Sequence, residues 1–208
     1  MIKMRTVNVG STGELARVDC SDCDILMVNY QKEIVFASYY EIPQPIKVSR
    51  AMSFDSGTVI TLCAKLRIED DRYCSVAVFD KGIFLGISDA LTEKETTAGK
   101  CQKVYTTGAG KFGVCVGTDF LCAQAENCVC GGADFIIHQT FDKFGCEYMC
   151  AVKGHAVFGT EFVGLYADTA LKSDGRTVCV PIGETFEFKN KILSTRPPVN
   201  FLKLSRIE

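Results

Sequence analysis

Residues 24–29 read Asp-Ile-Leu-Met-Val-Asn, a continuous apolar run of strand length. A run without polar alternation marks a strand covered on both faces. Thr58–Leu66, enriched in Val, Ile and Thr, reads the same way, and so does Lys111–Val116. Several such strands need covering layers on both sides, which excludes an all-β protein with one solvated face and an all-α bundle.

The spacing between these runs supplies the cover. Met4–Val9 reads as a strand, and Ser11-Thr-Gly-Glu14 as a capping box opening a short helix, Glu14–Val18. Pro43 and Pro45 break the chain ahead of a helix over Ile46–Phe54. Tyr73–Phe79 alternates and turns at Asp80-Lys-Gly82 into Ile83–Ser88, a hairpin. Phe120–Cys130 has helical periodicity closed by Gly131-Gly132, and Ala133–Ile137 follows as a strand. Cys146–Phe158 reads as a further helix, and Phe162–Ala167 and Arg176–Pro181 as strands. Strands alternate with short helices and hairpins, so the class is α/β, and the short helices favour two packed sheets over one doubly wound sheet.

Composition narrows the function. The chain has 208 residues, 47% hydrophobic and 23% charged, with a formal net charge of −2. Disorder as the main state is excluded, because enough apolar surface exists to offset chain entropy. Lys and Arg are scattered, so no broad nucleic-acid face is expected. No apolar run approaches the roughly 20 residues of a membrane helix, so no membrane association is expected. The opening residues lack a long apolar segment, and a cytoplasmic location is the expectation.

Twelve cysteines lie within apolar segments, such as Cys63, Cys115 and Cys179, and read as reduced, buried thiols. Cys20-Ser-Asp-Cys23 is a lone C-x-x-C, and Cys128-Val-Cys130 is too tight to be its usual partner pair. With only His138 and His155 besides, no metal site and no cofactor are predicted.

One ordered set of segments carries more. Gly110-Lys-Phe-Gly-Val-Cys-Val-Gly-Thr-Asp-Phe-Leu121 is followed by Cys130-Gly-Gly-Ala-Asp-Phe-Ile-Ile137. Together with Cys23–Tyr30, the hairpin Tyr73–Gly86 and Gly175–Glu184, this order resembles the carbon–nitrogen hydrolase (nitrilase/amidase) superfamily over about residues 4–190. The resemblance implies a four-layer α-β-β-α sandwich, here reduced in size, over residues 1–195, with an extended tail over 196–208.

The resembled chemistry uses a Cys nucleophile, a Glu base and a Lys that stabilises the oxyanion. At the corresponding positions this sequence has Gly117, Tyr30 and Ala90. Gly117 has no side chain and forms no thioester, so the implied hydrolase chemistry is lost. What would remain is small-ligand binding or protein interaction, with a pocket lined by Asn29, Tyr30, Ser88, Thr118 and His138. The alternative is an active hydrolase with a relocated nucleophile, Cys115 or Cys122; the latter would sit in the first turn of a helix, where the dipole can lower a thiol pKa. Thr118 reads as a turn residue or N-cap, and Asp119 as a structural acceptor at a helix start. The resemblance also implies pairing into a dimer through the helix after the nucleophile turn. Its stripe of Leu121, Ala125 and Val129, and the apolar tail 199–204, fit that expectation.

Overall fold

In the computed structural model, residues 2–38, 40–91, 96–99, 104–117, 119 and 132–141 are described with their side chains, and 156–159, 177–179 and 185–188 as backbone. β1 (Ile2–Val9), β2 (Ile25–Phe36), β3 (Val59–Ile68), β4 (Asp71–Asp80) and β5 (Ile83–Asp89) follow in chain order, with α1 (Thr12–Leu15) and α2 (Gln44–Ser56) between the first three strands. β6 (Val104–Thr107), β7 (Gly110–Val116), β8 (Phe135–Gln139), β9 (Ala156–Gly159), β10 (Thr177–Cys179) and β11 (Thr185–Phe188) complete the elements. They form two sheets, β11-β1-β2-β3-β4-β5 and β10-β9-β8-β7-β6. β1, β2 and β3 run parallel, as do β7, β8, β9 and β10. β11, β4, β5 and β6 add antiparallel pairings.

Local chemistry sets the boundaries. Ser11 Oγ accepts from the Glu14 N–H as in a capping box, while the Glu14 carboxylate accepts from the Gly10 N–H, one residue ahead of the N-cap. The helix is shorter than expected, ending at Leu15 rather than Val18. α2 opens after Pro43 with Pro45 in its first turn, where the missing N–H costs nothing. It ends at Gly57, whose φ of +71° is the left-handed cap. In the β4–β5 hairpin Lys81 and Gly82 both have positive φ, +50° and +76°, as a two-residue primed turn requires.

Two cores follow from strand alternation. Ile25, Met27, Cys63, Cys74, Val76 and Val78 of the first sheet pack against Phe112, Val114, Val116, Phe135 and Ile137 of the second. The other face of the first sheet, with Leu26, Val28, Tyr30, Ile60, Leu62 and Phe79, packs against Leu15 of α1 and Ile46, Val48 and Met52 of α2. A helix layer and two facing sheets are thus in place, an α/β sandwich. The sequence assignment of Cys146–Phe158 as a helix is corrected at its end, because residues 156–159 form β9 parallel to β8. The helix expected over Phe120–Cys130, the strand over Phe162–Ala167 and the tail over 196–208 lie outside the described residues.

Candidate functional site

β8 ends at Gln139, and the carboxyl ends of parallel strands are where α/β folds build sites. Facing it from the other sheet, Asn29 stands within β2, level with Cys63 of β3. It is 3% exposed and lies on the face between the sheets, in alternation with Ile25 and Met27. From the opposite sheet Gln139 crosses the interior. Its Nε2 donates to Val28 O at 3.2 Å, with Asn29 Oδ1 at 3.4 Å and Thr61 O at 3.5 Å. Gln139 and Thr61 are fully buried. An amide nitrogen facing three oxygens fixes the orientation of the Gln139 head group, since the reverse would set its carbonyl against them.

The turn after β7 is built differently. Gly117 takes φ +56°, a conformation that disfavours any Cβ. Its carbonyl accepts from His138 Nε2 at 2.8 Å. A carbonyl only accepts, so Nε2 carries the proton and Nδ1 does not. Burial pushes the His138 pKa down to about 4, against the opposing effects of that bond and of Asp119, so the ring is neutral near pH 7. Asp119 is fully buried, and its Oδ2 accepts from the Leu91 N–H at 2.7 Å. That bond ties the turn of the second sheet to the segment following β5 of the first. It matches the structural role read for Asp119, though the partner is across the sandwich rather than in a helix.

The residues expected to share one pocket stand in different layers. Asn29 and Ser88 lie between the sheets, and Ser88 Oγ is bonded to Tyr105 OH at 3.0 Å. Tyr30, one residue on from Asn29, points to the helix side, where its hydroxyl is 3.1 Å from Thr12 Oγ1. His138, one residue before Gln139, is on the outer face of the second sheet, alternating with Phe135 and Ile137. Thr118 and Cys122 lie outside the described residues. Of the three positions that the sequence resemblance set against the hydrolase triad, Ala90 and Gly117 flank the Leu91–Asp119 bond in sequence, whereas Tyr30 lies on the helix side of its sheet.

Cys115 is fully buried on the outer face, level with His138 on the adjacent strand. A Cys beside a His suggests an activated thiol, but a His held near pKa 4 is a poor base and a buried sulfur gives a substrate no access. Cys20 and Cys23 sit in the core beneath the helices, with Cys23 Sγ donating to Cys20 O at 3.7 Å. Burial and the neighbouring Asp22 push the Cys23 thiol up to about 12. No group of three or more His, Cys, Asp or Glu suited to a metal ion occurs among the described residues.

Two residues at this end escaped the sequence reading. Gln139 is one; Lys65 is the other. Lys65 lies beyond Cys63 on the same face of β3, and its Nζ is 5.9 Å from the Phe141 ring centroid. Lys65, Cys74 and Ala90 are successive neighbours across β3, β4 and the end of β5.

No family profile matches the sequence, and no curated protein is similar to it in sequence. Solved structures are similar. The carbon–nitrogen hydrolase from Helicobacter pylori G27 superposes with a TM-score of 0.55 at 14% identity, covering 81% of this chain and 75% of that one. Nit3 of Saccharomyces cerevisiae, from branch 10 of the nitrilase superfamily, gives 0.53 at 15% identity, over 67% of this chain and 64% of Nit3. An amidase of the same superfamily from Nesterenkonia AN1 gives 0.53 at 11% identity, over 69% and 66%. The chain thus spans about two thirds of the length of these relatives. Two facing mixed sheets, a helix layer and the parallel pair β7–β8 therefore have the fold of the nitrilase-superfamily structures.

Proposed function

We propose that this chain is a nitrilase-fold protein without carbon–nitrogen hydrolase chemistry, and that it acts by binding, foremost to another protein. The observation that carries the reading is the Gln139 bridge. Between the two sheets, the space beside Asn29 and Thr61 is occupied by a buried amide bonded across the interior. Amide or nitrile hydrolysis in such a sandwich needs a nucleophile, a base and a cation converging on one cleft. Here the residues aligned with them are Gly117, Tyr30 and Ala90, and Tyr30 faces the helices. Loss of the covalent route removes most of the rate enhancement. Small-ligand binding at Asn29 and Ser88 is the weaker form of the reading, since both side chains are already bonded within the protein. Cytoplasmic location and self-association as a dimer complete the proposal; no helix among the described residues is long and apolar enough to cross a membrane.

Coupled ammonia-release assays over a panel of amides and nitriles test it. No release above the uncatalysed rate is expected. Turnover abolished by Cys115→Ala or Cys122→Ala would establish the alternative, a hydrolase with a relocated nucleophile.

A further inference from the structure

Gln139 carries an amide into the space between the sheets, and only one half of its head group is used. Nε2 faces Val28 O, Asn29 Oδ1 and Thr61 O. Oε1 is buried and has no hydrogen-bond partner among the described residues. Turning the amide over would not help, because Oε1 would then stand against three oxygens. A second orphan lies beside it. Thr61 Oγ1 is likewise buried and without a partner among the described residues.

Strand phase puts both atoms in one layer. Thr61 is level with Met27 and alternates with Val59 and Cys63, all three residues of the inter-sheet core. Gln139 alternates with Phe135 and Ile137 of that same core. Gln139 Nε2 lies 3.5 Å from Thr61 O, so the amide head group stands against Thr61. The Thr61 hydroxyl is able to donate, yet it makes no bond to Oε1. Thr6, in the same row as Met27 and Thr61, is already turned to Met27 Sδ at 3.9 Å.

Chemistry identifies what completes the layer. A polar atom left unpaired in a low-dielectric interior costs more than its bond would contribute, and protein interiors pair such atoms through ordered water where no protein group reaches. The occupant must donate, because an amide oxygen only accepts. It must also be small, since Gln139 and Thr61 have no exposed surface and Met27, Cys63 and Ile137 around them are apolar core. A bare cation would suit Oε1 but would meet the N–H hydrogens of the same head group. Water meets every requirement, with hydrogens to give and lone pairs to receive the Thr61 hydroxyl.

We infer that the space between the sheets holds a binding site for one internal water, which donates to Gln139 Oε1 and accepts from the Thr61 hydroxyl. With Nε2 bonded to β2 and Oε1 linked through water to β3, one side chain of β8 ties its sheet to both central strands of the other. This site does not depend on the non-hydrolytic reading. Two measurements test it: a high-resolution crystal structure, and magnetic relaxation dispersion of the water oxygen, which counts waters held longer than the protein tumbles. The crystal structure should show density for one water within about 2.6–3.2 Å of both oxygens. Thr61→Val keeps the volume and removes the hydroxyl, and the dispersion amplitude should fall by the equivalent of one long-lived water; Thr61→Ser should retain it. No density beside Oε1, a direct bond from Thr61 Oγ1 to Gln139 Oε1, or an undiminished amplitude in folded Thr61→Val would overturn the inference. Should Thr61→Val fail to fold, the density in the unsubstituted protein decides alone.

Discussion

Gln139 Nε2 lies 3.2 Å from Val28 O and 3.4 Å from Asn29 Oδ1, so one side chain of β8 is bonded to a central strand of the opposite sheet. Its surroundings are otherwise the apolar inter-sheet core, where a lost bond is not replaced by bulk water. Gln139→Met keeps the volume and removes the bonds, and should destabilise the protein by about 1–2 kcal/mol; Gln139→Ala adds a cavity and should cost about 2–4 kcal/mol. Urea denaturation reads both. An unchanged midpoint for Gln139→Ala would mean that the bridge contributes nothing.

His138 gives a pH dependence with a definite sign. Its folded pKa, about 4, is below the ordinary value of 6.5, so the native state favours the neutral ring. The stability it contributes is fully present above about pH 6.5 and is lost as pH falls through about pH 4, by at most about 3 kcal/mol. His138→Gln keeps a donor for Gly117 O without a titrating ring and should flatten that part of the profile. Urea midpoints from pH 7 to 4 for both proteins check this; parallel profiles would contradict it.

At Gly117 the cost of a side chain is conformational. With φ at +56°, Gly117→Ala or Gly117→Cys should destabilise by about 1–2 kcal/mol. Gly117→Cys should also fail to release ammonia from amides, because Tyr30 faces away and Ala90 offers no cation. Thermal unfolding and the coupled assay measure the two effects.

Much of the fold was legible in the sequence and its phase was not. The hairpin at Asp80-Lys-Gly82 and the helix between Pro43 and Gly57 carry local signals, turn residues and caps, that act without tertiary context. β6 (Val104–Thr107) and β11 (Thr185–Phe188) are four residues each, too short for periodicity to show, and pairing with β7 and β1 defines them. The site failed for a related reason. Ile25–Tyr30 and Phe135–Gln139 are buried throughout, so neither run alternates, and nothing local says which residue faces which layer. A shift of one residue exchanges Asn29 for Tyr30 and Gln139 for His138, and that exchange separates the predicted pocket from the observed bridge.

The thiols Cys20, Cys23, Cys63, Cys74 and Cys115 are all buried and form no disulfide. Mass-spectrometric mapping should find each labelled by a maleimide only after denaturation. Labelling of Cys115 in native protein would contradict its burial.

The central claim is that no cysteine of this chain serves as a hydrolase nucleophile. Fluoroacetamide forms a covalent adduct with the active-site cysteine in an E41Q mutant of the structurally similar Nesterenkonia amidase. Intact-protein mass spectrometry of this chain after fluoroacetamide treatment under native conditions is therefore the most direct measurement. The predicted result is an unchanged mass; a stoichiometric single adduct mapping to Cys115 or Cys122 would contradict the account.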